Sequence, residues 1–550
     1  MSNNPSFRKR LLISALAAAA AISLSFTGCD GVFKKQESVS RQSQTSAADK
    51  ETAKSKFGDN IAVKSENYTM SLPMFSYSFN NIIQYFTAYY GYDATKSSKE
   101  QFYDEENGIT WYDTFMDNTK NEIKRLFTLC ESARKEGVSL DDIDTQNIEN
   151  NLSTMHSAAE SAGQSFDEYL AKNLGDNVTE DDVRKYLEEN FLAQKYYRQL
   201  YNSFQYTDEE YENTYNGNKE AYQYVDFLLF SFGYGTMESS DSSVVIDEEQ
   251  KAKAKAAADE LAKCKTQDEF KEYVTKYLNE NRDYVNISSE NSDGSAPTEE
   301  DYQKAIASQV DSVLNEKYPY EATSDEGKWL FDTGRKVNDT YISESTSSYG
   351  VIMVTKTAYR DESINRNVRH ILFTAGTDGS DAEAKKKAEE VYEEWKKGEA
   401  TEDSFAKLAE KYNAESDTGS AANGGLYEDV YRGQKVPEFN DWLFDENRKV
   451  GDTEIVKTDY GYHIMYYVGE SMPVWKSSVD SVLRRSDISE KYAELEKNVT
   501  VEFDDDYIYT IPDPTEKAEN DDENSESASS QESTSASSAD ESKADESKSE

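Results

Sequence analysis

The stretch "WLFDENRKVGDTEIVKTDYGYHIMYY", Trp442 to Tyr467, has a counterpart earlier in this chain of 550 residues: "WLFDTGRKVNDTYISESTSSYGVIMV", Trp329 to Val354. The two share Trp-Leu-Phe-Asp, Arg-Lys-Val, Asp-Thr and a closing Tyr-Gly in the same order, with a gap of one or two residues. Self-similarity of this length marks a duplicated structural unit. It extends upstream, where "VDFLLF" at Val225 to Phe230 answers "VRHILF" at Val368 to Phe373. Each is followed by a loop, an Ala/Lys/Glu-rich helix and an amphipathic helix, "DEFKEYVTKY" at Asp268 to Tyr277 and "DSFAKLAEKY" at Asp403 to Tyr412. The chain therefore carries two copies of one strand–helix–helix–strand module, predicted over 221–360 and 367–470. The copies differ where side-chain chemistry is at stake. Phe227 stands opposite His370 and Ile352 opposite His463, in a chain with three histidines in all. Packing alone would let the two positions drift independently; both histidines present in one copy and both absent from the other point to a paired role.

Composition bounds what else the chain can be. A formal net charge of −47 excludes a nucleic-acid binder, which needs clustered Lys and Arg to displace counterions from phosphates. From Thr515 onward twelve acidic residues face three lysines, so most of the charge belongs to the body, which also holds most of the 39 tyrosines and 23 phenylalanines. Such a body folds and presents an acidic surface. The Ser/Glu/Asp-rich tail over 512–550 has nothing to offset the entropy of ordering and reads as a solvated spacer. At the other end, Arg8, Lys9 and Arg10 precede "LLISALAAAAAISLSF" and "TGC". The sixteen-residue apolar run is shorter than the roughly 20 residues of a spanning helix and reads as an export signal over 1–28. The polar segment 29–60 reads as a tether. Cys130 and Cys264 lie far apart, and neither a zinc spacing nor HExxH occurs.

Over 61–220 the pattern predicts one strand, Ile61 to Tyr68, followed by helices. Thr179 with Asp182 and Thr207 with Glu210 have capping-box spacing, and Val183, Leu187 and Phe191 recur along one face. The aromatic run "NNIIQYFTAYYGY", Asn80 to Tyr92, reads mainly as core, with a partly open client-holding surface as the alternative. His156 has no matching partner and reads as structural.

The second module resembles the parvulin class of peptidyl-prolyl cis/trans isomerases. Five motifs of that family fall in order over about Asn367 to Glu470: the Arg-His-Ile-Leu strand at Arg369 to Leu372, the Phe-x-x-Leu-Ala helix at Phe405 to Ala409, Gly424 and Gly425, the Gly433 to Phe439 segment, and Gly461 to Ile464. The resemblance implies that His370 and His463 face each other on an active-site floor, with Thr458 hydrogen-bonded to the pair. It places an acidic partner at Asp417 when counted back from Gly424, or at Glu415 when counted forward from Phe405; Asp417 is preferred. Phe439 matches the ring-gripping phenylalanine, Tyr427 stands where the family has a pocket leucine, and Lys435 where it has a methionine. The family's Gly-Gly-Asp-Leu-Gly is here Gly424, Gly425, Leu426, Tyr427, Glu428.

Cys29, after Thr27 and Gly28, resembles the lipobox cysteine of bacterial lipoproteins. With it, the whole chain resembles the PrsA-like, SurA-like foldase lipoproteins, in which both chain ends build a helical chaperone domain. The expected fold is α+β: that helical domain, with a returning helix and strand over 472–511 ("SVDSVLRRSDISEKYAELEKN", then "VTVEF"), plus two parvulin-like modules of small antiparallel sheet and helices, the first degenerate. The resemblance implies an extracytoplasmic, lipid-anchored isomerase without cofactor or metal, acting on unfolded or nascent secreted proteins with X-Pro bonds. A non-catalytic holdase built on the same modules is the alternative. A solute-binding lipoprotein is disfavoured by the lack of two alternating βα lobes.

Overall fold

The computed structural model describes residues 54–513 apart from 59, 238–243, 289–295, 375–380, 414–419 and 421–422. The export signal, Cys29, most of the tether, the acidic tail beyond Asp513, Glu415 and Asp417 lie outside the described residues; Asp513, at the start of the expected spacer, is buried and accepts the Ser98 N–H (2.8 Å). The architecture is α+β, with antiparallel sheets, and no described helix is long and apolar enough to cross a membrane. The chain divides into two compact units, one formed by residues up to 205 and from 484 onward, the other by 206–483.

The first unit is helical around a small sheet. Strands β1 (Ile61–Lys64) and β2 (Thr69–Ser71) form a hairpin, and the returning strand Glu502–Phe503 pairs with the other side of β1, Val63 opposite Phe503. The single strand expected over 61–68 is thus a strand and a turn. The polar run Lys64 to Asn67 folds back onto Glu131, whose carboxylate accepts hydrogen bonds from Ser65 Oγ (2.6 Å), Asn67 N–H (2.6 Å) and Asn67 Nδ2 (2.7 Å). A second hairpin joins β3 (Phe102–Asp104) and β4 (Ile109–Thr110).

Five helices follow the caps in the sequence: Leu72–Tyr89, Trp111–Lys135, Asp142–Ser161, Phe166–Asn173 and Glu180–Ser203. At the last, Thr179 Oγ1 accepts the Asp182 N–H while the Asp182 carboxylate accepts the Thr179 N–H, satisfying two orphan donors for about 1 kcal/mol. The Thr207–Glu210 pair does the same for the helix Asp208–Gly217. Between the helices, Phe75, Phe79, Phe115 and Phe127 are fully buried. The aromatic run divides as its periodicity dictates: Ile83, Phe86 and Tyr92 enter the core, while Tyr89 is 74% exposed and Tyr90 is also exposed. His156 stacks on Phe166 (3.7 Å between centroids) beside Glu180.

Two carboxyls of this unit, Glu122 and Glu189, are raised by burial into an experimentally accessible range. Glu189 is 4% exposed and its Oε1 has no hydrogen-bond partner. Burial pushes its carboxyl from 4.5 up to about 8, against a smaller opposing pull from Lys185. Below pH 4.5 folded and unfolded chains both hold this proton; above it the unfolded chain releases the proton while the folded chain keeps it, so stability falls with rising pH until the folded state also gives it up at about 8 and the loss is complete. The loss from Glu189 is expected to be on the order of a few kcal/mol between pH 5 and 9, and Glu189→Gln to remove that share while leaving the one from Glu122, whose carboxyl burial raises to about 7. Thermal unfolding of both proteins across that range checks this.

In the second unit the duplicated modules are built alike. The first sheet runs β8-β5-β10-β9, with β5 at Gln223–Gly233, a small hairpin of β6 (Gly235–Met237) and β7 (Val244–Ile246), β8 at Leu314–Pro319, β9 at Thr340–Glu344 and β10 at Ser348–Arg360. The second runs β12-β11-β14-β13, with β11 at Ile364–Thr374, β12 at Leu426–Val430, β13 at Thr453–Thr458 and β14 at Gly461–Pro473. The registers coincide: Phe227 pairs with Val354 and Leu229 with Ile352 in the first, His370 with Met465 and Leu372 with His463 in the second.

Strand alternation sorts the side chains into two faces. In the second module Ile371, Phe373, Ile464 and Tyr466 pack under the helices Asp381–Lys397 and Glu402–Asn413. Val368, Met465 and Tyr467 face the short helix Pro437–Leu443 on the other side. The corresponding face of the first module is closed by Val225, Phe227, Ile352, Val354, Leu330 and Phe331.

The repeated Trp-Leu-Phe-Asp…Arg-Lys-Val motif has the same physical basis in both copies. Arg335 Nε donates to the Trp329 carbonyl (3.0 Å) with its guanidinium 3.8 Å over the indole; Arg448 does the same to Trp442, at 3.0 and 4.0 Å. Leu330, Phe331, Leu443 and Phe444 fill the core beneath.

The division between the two compact units falls after 205 and before 484. Residues on both sides of the modules share an aromatic cluster, Tyr211, Tyr215, Tyr222, Trp475 and Val479, and Tyr211 Oη donates to Asp480 Oδ1 (2.6 Å). The helix that follows β14 begins at Val474, before the expected Ser478.

Candidate active site

The site lies on the face of the second sheet opposite the helices Asp381–Lys397 and Glu402–Asn413, where β11 and β14 bring His370 and His463 together on neighbouring strands. Their rings meet at Nδ1···Nδ1 3.3 Å, and the residues are 1% and 6% exposed. Two nitrogens at this distance share one proton, so one ring donates and the other accepts. Each ring's far nitrogen has its own partner. His463 Nε2 lies 3.0 Å from Thr458 Oγ1, which also accepts the Tyr460 N–H (3.2 Å). His370 Nε2 lies 3.5 Å from Ser420 Oγ. The result is a buried relay, Thr458–His463–His370–Ser420, crossing three strands and the Gly-Gly loop.

Asn413, at the end of the helix Glu402–Asn413, holds this relay in place. Its Nδ2 donates to the His370 carbonyl (2.8 Å) and Ser420 Oγ (3.2 Å), and its Oδ1 accepts the Leu372 N–H (2.9 Å). Neither Asn413 nor Ser420 was expected from the sequence. The duplication contained the signal for the first: one residue beyond the matched Tyr277 and Tyr412, the first module has Leu278 and the second Asn413, both fully buried. An amide in a leucine site requires polar partners.

Gly424 and Gly425 let the loop approach the relay. Both have positive φ, +61° and +69°, and a Cβ on Gly425 would stand 2.3 Å from the His370 carbonyl oxygen. Gly425 O accepts the His370 N–H (2.9 Å), and Arg369 Nη1 donates to Asn423 O and Gly424 O, both at 2.9 Å. Gly425→Ala is expected to destabilise the second module by about 2 kcal/mol or more through left-handed strain and overlap, read by denaturant unfolding.

Aromatic rings wall the histidines. Phe439, buried on the helix Pro437–Leu443, presents its ring edge-on to His370 (5.9 Å, 78°) and His463 (5.6 Å, 87°). Tyr427, on β12, stacks on His370 at 4.5 Å, and Lys435 Nζ sits 3.5 Å from the Tyr427 ring centroid. The structure thus brings His370, His463, Thr458, Phe439, Tyr427 and Lys435 together. The ammonium lies against a tyrosine face instead of leaving the pocket, because a phenol ring in the usual leucine position offers a cation–π partner. Among the described residues no group of three or more His, Cys, Asp or Glu side chains is placed to hold a metal ion.

Residues 370–469 match the family described as "Rotamase: PPIC-type PPIASE domain". The chain is 36% identical over 130 residues to the foldase protein PrsA of Geobacillus sp. (strain WCH70), covering 22% of this chain and 44% of that one. It is 30% identical over 162 residues to the foldase protein PrsA of Staphylococcus aureus (strain Newman), 27% and 48% of the two chains. Similarity to the chaperone SurA of Pseudomonas savastanoi pv. phaseolicola is 34% over 103 residues, 19% and 22%. The chain thus spans less than half the length of the curated relatives it matches. Among solved structures, the peptidylprolyl isomerase (PrsA) from Bacillus anthracis is 16% identical with a TM-score of 0.18, covering 46% of this chain and 95% of that one. The sequence matches support the resemblance to PrsA-like parvulin foldases.

Proposed function

We propose that residues 367–470 catalyse cis/trans isomerisation of X-Pro bonds, within a foldase anchored outside the cytoplasm by a lipid on Cys29 and serving unfolded secreted chains. The observation carrying this reading is the buried histidine pair, at Nδ1···Nδ1 3.3 Å, in a module that matches the PPIC-type domain. Rotating an X-Pro amide breaks its resonance against about 18–20 kcal/mol, and each 1.4 kcal/mol removed from the barrier is tenfold in rate. A catalyst of this step needs neither a nucleophile nor a metal; it must favour the twisted amide. In this reading Phe439 grips the prolyl ring and takes the bond out of water, which weakens the solvation that favours the planar, polar amide. The Thr458–His463–His370–Ser420 relay, completed by Asp417, fixes the hydrogen bonds facing the twisted state.

A second reading has its own observation. Tyr427 stacks on His370 and Lys435 lies over the Tyr427 ring, so one face of the His370 ring is already covered, which favours a holdase using the module as a client-binding surface. Refolding of a client limited by proline isomerisation separates the two: catalysis shortens the slow phase, whereas holding alone lengthens it or leaves it unchanged. Labelling of the wild-type chain with a lipid precursor, and no labelling of Cys29→Ser, tests the anchor.

A further inference from the structure

The helical unit contains a cavity of about 190 Å³ between the edge strand β2 and the helix Glu180–Ser203. Met70, Met74 and Tyr186 supply apolar walls, and Ser71, Asp182, Lys185 and Glu189 the polar ones. With Thr69, which also lines the cavity, four of the five polar residues are committed. Ser71 Oγ donates to Asp182 Oδ1 (2.9 Å), Asp182 Oδ2 caps Thr179, and Lys185 Nζ donates to Thr69 O and Oγ1 (2.6 and 2.7 Å). Glu189 is the exception: it is almost wholly buried, it lines the cavity, and Oε1 has no partner. A buried oxygen of this kind costs free energy that a bound donor would recover.

We propose that this cavity is a subsite for a cationic side chain, lysine or arginine, of an extended polypeptide lying along β2. The volume is well below the roughly 300–1,000 Å³ of whole-ligand sites, which fits one side chain. Thioether and phenol walls suit an alkyl stem, and a carboxyl among them suits the head group. The sheet ends at β2, where Lys185 already holds the Thr69 carbonyl, so a polypeptide lying along this strand is held by its side chain in the cavity rather than by strand pairing. The protein's net charge of −47 draws cationic segments to its surface. At neutral pH Glu189 holds a proton, since burial raises its carboxyl to about 8. Entry of an ammonium or guanidinium converts it to the carboxylate, and that proton leaves to solvent. The proposal rests on the reading of the helical unit as a polypeptide-binding element.

The test titrates the full chain by calorimetry with four capped pentapeptides that differ only at the central residue, Lys, Arg, norleucine or Glu, at pH 7 in two buffers of different ionisation enthalpy. The Lys and Arg peptides are expected to bind at least about 10-fold tighter than the norleucine and Glu peptides, with proton release. Glu189→Gln, which replaces a neutral acid by a neutral amide of the same shape, is expected to weaken the Lys peptide about 10-fold and to remove the proton release. Equal affinity for Lys and norleucine peptides, or unchanged affinity and proton release in Glu189→Gln, overturns the proposal. An unfolded client titrated in parallel separates the failures: client binding without charge-dependent peptide binding overturns this subsite alone, and loss of both overturns the polypeptide-binding reading beneath it.

Discussion

Replacing His370 by Phe and His463 by Ile together is expected to reduce catalysis of a proline-limited refolding phase by about 10²–10³-fold while leaving the module folded. The size follows from removing the preorganised hydrogen-bonding groups that a twisted amide would meet. The retention of fold follows from the first module, where Phe227 and Ile352 occupy the same register positions and close the same sheet face with Leu330 and Phe331. The protein therefore supplies its own control for the substitution. Circular dichroism and thermal unfolding check the fold, and refolding kinetics check the activity. Unchanged catalysis in a folded double variant would remove the histidine pair from the mechanism.

Phe439→Ala is expected to have the other large effect, because one ring serves two ends. It packs with Val368, Trp442, Leu443 and Met465 in the core on the site face, so its loss leaves a cavity costing about 3–5 kcal/mol. It also stands edge-on to both histidines, and its removal admits water to the relay. A drop in kcat/KM of about 100-fold or more is expected, since an apolar grip on the prolyl ring and dehydration of the amide are lost together. Phe439→Leu separates the contributions: stability recovers most of its value, while activity recovers less if ring contact with the substrate matters. Chemical denaturation and peptide kinetics on both variants provide the comparison.

Much of the architecture was legible because it is written twice. Aligning "VRHILF" with "VDFLLF" and Tyr460-Gly461 with Tyr349-Gly350 places the central strands of both sheets side by side, and the observed registers are the ones this alignment requires. The capping boxes at Thr179 and Thr207 were equally readable, since a hydroxyl and a carboxylate three residues apart satisfy backbone donors almost wherever they occur. The β1–β2 turn was not legible, because the residue that holds it, Glu131, lies more than sixty positions away. Asn413 escaped for a related reason: an asparagine after a helix reads as an ordinary stop signal, and only the Leu278 comparison shows that its site is buried. Ser420 sits in a run of small and polar residues, "ESDTGSAANGG", with no pattern to separate it from its neighbours. The sequence raised the question of Lys435, but its place on Tyr427 depends on how β12 leaves the Gly-Gly turn, which no local spacing encodes. Asp417, the expected acidic partner, remains a proposal resting on the family resemblance.

The most direct measurement is magnetisation exchange by NMR between cis and trans forms of a short X-Pro peptide, with and without the full-length protein. Uncatalysed exchange takes on the order of 10–100 s at 25 °C. Catalysis by the 367–470 module brings exchange into the observable range at substoichiometric protein, and His370→Phe/His463→Ile returns it to background. Exchange at the uncatalysed rate with the unmodified protein would contradict the isomerase function and leave the holdase.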